Sequence, residues 1–427
     1  MRILVLGSGA REHALSARLS RDSGVAEVLA APGNPGIARH ARTVAADLSD
    51  PDALLSLADR ERIDLTVVGP ELPLSVGVVD RFAAAHRPIF GPTRAAAALE
   101  CSKAFAKAFM ARHGVPTARF RTCGSADEAL AVVGSGEFGF PIVLKADGLA
   151  AGKGVVIAPD RAAADAAILA AMRDRRFGAA GERLVVEECL AGPEVSFFVV
   201  SDGARALPIG TAQDHKRIFD GDLGPNTGGM GAFAPSPLVN AALHARIMRE
   251  IVLPVVDGMA ADGHPFRGFL YAGLMLTSEG PKVIEFNVRL GDPEAQVVLP
   301  LVDEPLVPIL ASAAEGDLRQ ASVRLGTDAL VGVVLASRGY PESAESGQPI
   351  HGIEEAEGVP GVVVYHAGTA ERDGRIVTAG GRVLTVVGQG KDYADAIARA
   401  YDGVSRIHFD GMQFRRDIGR KALQSAI

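Results

Sequence analysis

Three polar side chains alternate along one apolar stretch of the sequence, at Glu285, Asn287 and Arg289. Successive residues of a β-strand point to opposite faces, so this spacing places a carboxylate, an amide and a guanidinium on one face. Carboxylate and amide oxygens suit a hard cation such as Mg²⁺, and a guanidinium suits an anion beside it. The segment therefore predicts a site for a metal ion and a phosphate group.

The strand that carries these residues is predicted to span 282–290 and to form the second arm of a hairpin. The first arm is 268–276, and the turn-forming residues 278–281 join the two. Both arms are apolar enough to be central strands, although such alternation is also typical of a half-exposed edge strand. We expect Val283 on the polar face and four apolar residues on the core face: Ile284, Phe286, Val288 and Leu290.

Three glycine-rich segments are candidates for contact with a phosphorylated ligand. The first, 7–12, lies between a predicted strand and a predicted helix, where free backbone amides attract anions. A dinucleotide site would need a glycine in place of Glu12 and an acidic residue after the second strand, so the pattern excludes NAD. Phosphate binding is retained as a prediction, and a tight turn that binds nothing is the alternative.

The second segment, 148–154, resembles a phosphate-binding P-loop but lacks its spacing and its hydroxyl residue. It still offers backbone amides and the cation of Lys153, which suits a lid over phosphates. Lys145 precedes it at the end of an apolar strand, where an unpaired lysine would be costly to bury. A flexible surface loop is the alternative interpretation.

The third segment, 224–231, has Asn226 and Thr227 at its centre as candidate ligand donors. Its many glycines let the backbone approach a ligand closely, and a disordered linker is the alternative. The polar run 213–217 precedes it. Within that run, His215 could be a structural histidine, and its spacing does not make it catalytic.

The elements that must position these residues follow from the strand and helix patterns. The first hundred residues alternate strands and helices, which indicates a doubly wound parallel sheet with ligands beyond the carboxyl ends of its strands. Helices are predicted at 76–85 and 241–262, and a long loop at 220–231. A further α/β unit begins near residue 325.

Composition limits the class of protein. A chain of 427 residues is long enough for roughly three domains, and its net charge of −7 argues against a general surface for nucleic acid or acidic membranes. Cys101, Cys123 and Cys189 show no paired spacing, which argues against a disulfide framework and favours a reducing cytoplasm. Neither a signal peptide nor an uncharged apolar run of ~18 residues is recognised.

The motifs, taken together in their order along the chain, resemble those of the phosphoribosylamine glycine ligase family of the ATP-grasp superfamily. The resemblance covers almost the whole chain. The matching segments are 9–15, 31–34, 68–71, 102–105, 145–154, 213–217, 224–231, 285–287, 291–294, 378–384 and 416–419. The resemblance implies a substrate-binding α/β domain at 1–101, an ATP-grasp domain at 102–320 with a lid at about 118–190, and a small mixed α/β domain at 321–427.

The implied reaction joins glycine to 5-phosphoribosylamine through a glycyl phosphate, giving glycinamide ribonucleotide, ADP and phosphate in de novo purine biosynthesis. A carboxylate is a poor electrophile, so a phosphate leaving group has to be installed first. The resemblance implies a cytoplasmic carbon–nitrogen ligase that uses ATP with Mg²⁺ or Mn²⁺. We expect a monomer that acts on small molecules and binds neither nucleic acid nor membrane.

The resemblance also implies roles for individual residues. The metal ligands would be Glu285 and Asn287. The catalytic set would be Lys145, Asp214, Asn226 and Arg289, with Arg289 steadying the transferred group. The nucleotide would contact Lys103, Lys145, Gly152, Lys153, Gly154, Glu187, Leu190 and Glu194. The phosphoribosyl substrate would face Gly7, Gly9, Asn34 and Glu71. Glycine or the amine would be oriented by Asp214, Asn226, Asp292 and Glu294.

Within that set, the backbone of 187–190 would read adenine and Glu194 would bind the ribose hydroxyls. Glu188 is interpreted as an ordinary charge at a strand end. Many ATP-grasp enzymes carry a further acidic metal ligand on the strand before Glu285, but 271–274 offers none, so a preformed metal site is not expected. Cys101 stands where the family often has glycine, and we expect a packing change without a catalytic thiol.

Two other functions stay open at this point. One is a ligase that forms carboxyphosphate, in the manner of biotin carboxylase, and the segment 224–231 argues against it. The other is a nucleotide-binding regulatory module without turnover. A pure binder would have little need for both Glu285 and Arg289.

Overall fold

The apolar runs near the amino terminus form a five-stranded parallel sheet in the order β3-β2-β1-β4-β5. Its strands are β1 (Arg2–Gly7), β2 (Glu27–Pro32), β3 (Arg42–Thr43), β4 (Leu65–Val68) and β5 (Ile89–Phe90). Ile3 and Val5 pack into one core while Leu4 and Leu6 pack into another, so the sheet is buried on both faces. The predicted doubly wound parallel sheet is confirmed. The computed structural model describes residues 1–148 and 154–424.

Five helices accompany this sheet. They are α1 (Ala10–Leu19), α2 (Pro51–Arg60), α3 (Glu71–Ser75), α4 (Val78–Ala84) and α5 (Arg94–Cys101). The helix predicted at 76–85 is present as α4, and the short helix α3 ends just before it at Ser75. Gly77 between the two has a left-handed backbone with φ of +88°. Glycine adopts this conformation without strain.

A four-stranded antiparallel sheet forms the region predicted as the lid, in the order β6-β9-β7-β8. Its strands are β6 (Phe120–Cys123), β7 (Ile142–Ala146), β8 (Val155–Ala158) and β9 (Leu184–Glu188), with helices α6 (Lys103–Arg112), α7 (Ala126–Gly134) and α8 (Arg161–Ile168) beside them. Residues 149–153, and with them the predicted nucleotide contacts Gly152 and Lys153, lie outside the described residues.

The remaining strands are β10 (Glu194–Asp202), β11 (Ala206–Asp214), β12 (Arg217–Phe219), β13 (Leu223–Asn226), β14 (Gly231–Ala234), β15 (Arg267–Thr277), β16 (Gly280–Asn287), β17 (Ala329–Ala336), β18 (Val362–His366), β19 (Thr369–Arg372), β20 (Arg375–Thr378) and β21 (Arg382–Gly390). Eight of them form one sheet in the order β16-β15-β10-β11-β14-β17-β21-β18. β14 pairs with β17, so this sheet continues across the predicted domain boundary at 320/321.

The helices of this part are α9 (Ala241–Ile247), α10 (Leu253–Ala261), α11 (Ala295–Val298), α12 (Leu306–Glu315), α13 (Ile353–Glu357), α14 (Tyr393–Arg406) and α15 (Arg420–Gln424). A π-helical segment, Met248–Val252, divides the helix predicted at 241–262. The predicted loop 220–231 contains β13, which pairs with β12. No helix of the described residues has the length and apolarity needed to cross a bilayer.

Buried polar contacts join the N-terminal and C-terminal units. The two amide hydrogens of Asn34 are donated to the carbonyls of Ser8 and His366, both at 2.8 Å. His13 Nδ1 accepts a hydrogen bond from the backbone N–H of His366, also at 2.8 Å. Burial, with a smaller effect of the charge on Arg39, lowers the pKa of His366 from 6.5 to about 4. This junction therefore requires a neutral His366.

Acid should weaken this junction. The folded-state pKa of His366 is depressed, so its neutral form is fully retained above pH 6.5. As the pH falls from about 6.5 to 4 the unfolded chain binds a proton that the folded chain does not, and the free energy of unfolding should fall by up to about 3 kcal/mol. Urea unfolding at pH 7.5 and pH 5 measures this loss. The loss of unfolding free energy between these pH values should be smaller in His366→Gln. An equal loss in both proteins would contradict the assignment of this pH dependence to His366.

Candidate active site

The hairpin of β15 and β16 differs from its predicted form in two ways. β16 is the edge strand of the eight-stranded sheet and not a central strand. Its free edge is covered by the segment before β6: Val283 N–H donates to Pro116 O at 2.8 Å, and Thr117 Oγ1 donates to Val283 O at 2.7 Å. These bonds satisfy backbone groups that would otherwise be open to pairing.

The second difference is a β-bulge at Ile284. Gly273 lies opposite Glu285 and Leu274 lies opposite Val283, which leaves Ile284 as the extra residue. The predicted faces of Val283 and Ile284 are therefore wrong: Val283 is buried in the core and Ile284 is half-buried. Bulges re-aim local groups, and here the carbonyl of Ile284 accepts a hydrogen bond from Lys145 Nζ at 2.9 Å.

Four cations from different parts of the chain act electrostatically on Glu285. Burial raises the pKa of Glu285, but the charges of Lys216, Lys145, Lys103 and Arg289 together outweigh it, so the net shift is downward. Lys103 lies in the first turn of α6, and its Nζ donates to Gly148 O at 2.8 Å, at the start of the predicted lid loop. The structure thus brings Lys103, Lys145 and Arg289 to one carboxylate.

Lys145 is held in a buried group of charges that the sequence did not reveal in full. Its Nζ lies 3.1 Å from Glu187 Oε1, and the other oxygen of Glu187 lies 2.8 Å from Lys107 Nζ. All three side chains are buried. The side chain of Glu187 therefore faces these lysines. Lys107 was not predicted, although a lysine on an otherwise apolar helix face, beside Ala106 and Met110, is a signal that could have found it.

Acidic side chains form a second group close to Glu285. Burial, the largest effect, raises the pKa of Asp214 to about 7; Lys216 lowers it, and Glu294, Glu194 and Glu285 raise it further. Glu194 does not stand alone, because its Oε2 lies 2.6 Å from Lys216 Nζ. A divalent cation would relieve the repulsion among these carboxylates.

The oxygen donors of this region suit a hard metal ion but do not enclose one. Glu285 and Asn287 lie two residues apart in β16, and both are half-buried. Among the described residues no group of three or more histidine, cysteine or acidic side chains is arranged to hold a metal ion. Two protein ligands would leave further positions for phosphate and water oxygens, as Mg²⁺ commonly requires.

Two carboxylates hold Arg289. Its Nη2 lies 2.8 Å from Glu100 Oε1, and its Nε lies 3.4 Å from Glu71 Oε2. Glu100 was not predicted, and its second oxygen accepts the backbone N–H of Val288 at 2.7 Å. Burial, the largest effect, raises the pKa of the adjacent thiol of Cys101 to about 11, so it stays protonated near neutral pH. Arg289 therefore links α3 and α5 to the end of β16.

The predicted phosphate position at the start of α1 is filled by a side chain of the protein. Glu12 Oε2 accepts the backbone N–H of Gly9 at 2.6 Å, and Glu12 Oε1 lies 2.5 Å from Arg11 Nε. A Cβ added to Gly7 or to Gly69 would lie within 2.4 Å of Glu12 side-chain atoms, so both glycines make room for it. The positive end of the helix dipole is thus already neutralised by a carboxylate.

The C-terminal unit also reaches this region. Arg382 Nη1 donates to Gly228 O at 2.6 Å and to Asp292 O at 2.5 Å, and the phenol of Tyr340 accepts the N–H of Gly228 at 2.9 Å. Burial raises the pKa of Asp292, but Arg382 and Arg11 lower it by more. The segment 224–231 is therefore tied to β21 and to the segment after β16.

Other predicted residues lie around this centre. Asn226 ends β13 opposite Arg217, and Glu294 is buried with its Oε1 3.4 Å from Ser196 Oγ. Leu190 lies just after β9 and is half-buried, and the carbonyl of Gly154 accepts the N–H of Ala146 at 2.8 Å. Glu188 pairs with the exposed Arg119, as expected of a strand-end charge. His215 is buried beside Phe233, but neither of its ring nitrogens has a hydrogen-bond partner among the described residues, so it is not the satisfied structural histidine that was expected.

Filling the space beside Glu12 should damage this site. In Gly69→Ala the new Cβ would meet Glu12 Oε1 at 2.3 Å, so the carboxylate must move away from Gly9. Urea unfolding should show a loss of about 1–3 kcal/mol in the free energy of unfolding. The matched control is Gly326→Ala, whose Cβ would meet only ordinary contacts. Equal behaviour of the two variants would contradict the tight fit around Glu12.

Comparisons with known proteins agree over the whole chain. Three family models match: Phosphoribosylglycinamide synthetase N domain at residues 1–100, ATP-grasp (A) domain at 101–295 and C domain at 330–421. A phosphoribosylamine–glycine ligase from Xanthomonas axonopodis pv. citri is 53% identical over 428 residues, covering 99% of this chain and 98% of that protein.

Solved structures give the same result at the level of the fold. The crystal structure of phosphoribosylamine–glycine ligase from Thermotoga maritima superposes with a TM-score of 0.86 at 34% identity, covering 98% of this chain and 100% of the other. The biotin carboxylase domain of Hydrogenobacter thermophilus 2-oxoglutarate carboxylase, in complex with MgADP, ADP and bicarbonate, has a TM-score of 0.74 at 18% identity, covering 97% and 91%. The second likeness shows a shared fold only.

Proposed function

Because the chain belongs to the phosphoribosylglycinamide synthetase family, we propose how its own residues carry out that family's reaction. It is an ATP-dependent carbon–nitrogen ligase that joins glycine to 5-phosphoribosylamine in purine biosynthesis. The observation that carries the residue assignments is the convergence of Lys103, Lys145 and Arg289 on Glu285.

The reaction takes place in two steps. A carboxylate oxygen of glycine attacks the γ-phosphorus of ATP, the bond to the β–γ bridging oxygen breaks, and ADP leaves. The amine of phosphoribosylamine then attacks the acyl carbon of glycyl phosphate, the amine loses a proton, and inorganic phosphate leaves. Both steps move negative charge between oxygens, so positioning and charge neutralisation contribute most of the catalysis.

We assign the charge-neutralising groups by their contacts. Lys103 and Lys145 bind the nucleotide phosphates, and Arg289, fixed between Glu71 and Glu100, steadies the transferred phosphoryl group. Glu285 and Asn287 would hold Mg²⁺, or Mn²⁺ in its place, and the bound ion would neutralise phosphate charge. The predicted lid at 148–154 would exclude the water that hydrolyses an acyl phosphate.

Four residues are proposed to orient glycine and the attacking amine: Asp214, Asn226, Asp292 and Glu294. The raised pKa of Asp214 suits this role, because a carboxyl group that titrates near neutral pH can both bind an ammonium group and accept its proton. Gly7, Gly9, Asn34 and Glu71 are proposed to face the phosphoribosyl substrate. Since Glu12 fills the helix N-terminus, we expect contact there through the sugar and not through the phosphate.

The remaining nucleotide contacts are proposed from the end of β9 to the start of β10 and at residues 152–154. The backbone from Glu187 to Leu190 would read adenine, and Glu194 would bind the ribose hydroxyls in exchange for Lys216. Gly152, Lys153 and Gly154 would cover the phosphates.

We further propose a monomer that works in the cytoplasm and binds no nucleic acid, in keeping with its net charge of −7.

Phosphate release, assayed with ATP, glycine and freshly prepared phosphoribosylamine, tests the reaction. Release should stop when ATP, glycine or Mg²⁺ is omitted, and the amide product should require all three substrates. A carboxyphosphate-forming reaction would instead depend on bicarbonate and ignore glycine. The only finding in its favour is the fold-level likeness to biotin carboxylase.

Loss of either central charge should reduce amide formation strongly. Glu285→Gln removes a proposed metal ligand and Lys145→Met removes a proposed phosphate contact, and each should lower kcat/KM at least about a hundredfold. Matched controls are Glu250→Gln and Lys391→Met, which change exposed or part-exposed side chains away from this region. Near-normal rates in both central variants would refute the site assignment.

A further inference from the structure

Lys107 lies one helical turn beyond Lys103 on α6, and it is 2% exposed. Its Nζ donates to Thr117 Oγ1 at 2.7 Å and lies 2.8 Å from Glu187 Oε2. A buried ammonium group with two short polar contacts is held firmly in place. None of these contacts belongs to the reacting centre itself, so Lys107 reaches that centre only through its partners.

Both partners of Lys107 lead to the hairpin of β15 and β16. Thr117 Oγ1 donates onward to the carbonyl of Val283, and Lys145 Nζ donates to the carbonyl of the next residue, Ile284. Glu187 closes the ring, because its two oxygens lie near Lys107 and Lys145 respectively. The ring therefore joins α6, β7 and β9 to the bulge in β16.

The contact between Lys145 and Glu187 is electrostatic more than directional. The two atoms are 3.1 Å apart, but no N–H of the described residues is aligned on Glu187 Oε1 as a hydrogen bond. Lys145 is thus attracted by this carboxylate while its aligned hydrogen bond is to Ile284 O. Such an ammonium group retains an N–H for a ligand.

The net charge of the ring determines how strongly Glu187 neutralises Lys145. With both lysines protonated and Glu187 ionised, the ring has a net charge of +1. Without Lys107, Glu187 would have Lys145 as its one close cation, and the pair would be neutral. Burial lowers the pKa of Lys107 to about 8, with Glu187 opposing that shift, so Lys107 is largely charged at neutral pH.

We propose that Lys107 is a positioning residue for nucleotide binding: by holding one oxygen of Glu187 it keeps that carboxylate from neutralising Lys145, which stays available to the phosphates of ATP. This inference rests on the proposed role of Lys145. It concerns ATP and not the binding of glycine or phosphoribosylamine.

Substitutions at Lys107 and Glu187 should compensate for each other in ATP binding. Lys107→Met should raise the KM for ATP about tenfold, the scale of one charge–phosphate interaction, and change the KM for glycine less than about twofold. Lys107→Met combined with Glu187→Gln restores the net charge of +1. The double variant should therefore bind ATP better than Lys107→Met alone. The KM for ATP of Lys107→Arg should remain close to that of the unmodified enzyme.

A merely structural lysine would behave differently. Replacing such a lysine would change the KM of all three substrates alike. The double variant would then bind ATP no better than Lys107→Met. Either result would overturn the proposal. Thermal unfolding of each variant confirms that folded protein is assayed. Should Lys107→Met not fold, the double variant is compared with Glu187→Gln alone, and a difference in KM for ATP above about threefold would also overturn it.

One control separates this inference from the function on which it rests. Lys145→Met should bind ADP in the presence of Mg²⁺ more weakly in isothermal titration calorimetry. Unchanged ADP affinity in that variant would refute the role of Lys145. A weakened affinity there with no effect of Lys107→Met would refute the role of Lys107 alone.

Discussion

The structure of this active site depends on keeping several buried or half-buried cations close together. Lys103, Lys145, Lys216 and Arg289 all act on Glu285, and their mutual repulsion would be severe in a low-dielectric interior. Acidic partners offset it: Lys145 faces Glu187, Lys216 faces Glu194, and Arg289 faces Glu100. This pattern of alternating charge suits the binding of a polyphosphate and a metal ion that we propose for this site.

The edge position of β16 is what allows these groups to meet. A central strand would have neighbours on both sides, whereas the outer edge of β16 is free for the segment before β6 and for Lys145 from the lid sheet. The bulge at Ile284 turns a backbone carbonyl toward that lysine. β16 is thus bound to the eight-stranded sheet on one side and to the segment before β6 and Lys145 of β7 on the other.

All three units of the chain contribute contacts around the site. The N-terminal unit supplies Glu71 to Arg289, and the C-terminal unit supplies Arg382 to Asp292 and to the segment 224–231. Glu12 explains why the turn at Gly7 looks like a dinucleotide motif without being one. Its carboxylate takes the anion position at the helix N-terminus, and the surrounding glycines leave room for that side chain and not for a pyrophosphate.

Much of this could be predicted from the sequence, because its signals are local. Alternation in the first ninety residues indicated the parallel sheet, and Ser278 to Pro281 indicated the turn of the hairpin. Glu285 and Asn287 were predicted as metal ligands from their spacing, since a period of two is a property of a single strand; that role stays a prediction. The order of the motifs along the chain then indicated the family, and with it the reaction.

What only the tertiary structure decided were the partners of each charge. Lys107 and Glu187 are far apart in sequence, as are Glu100 and Arg289, and nothing local specifies that they pair. The edge position of β16 and the bulge at Ile284 were also missed, because register is set by the neighbouring strand and by Thr117. Periodicity reports which residues a segment will bury; the free energy of pairing buried charges is settled only when distant segments pack together.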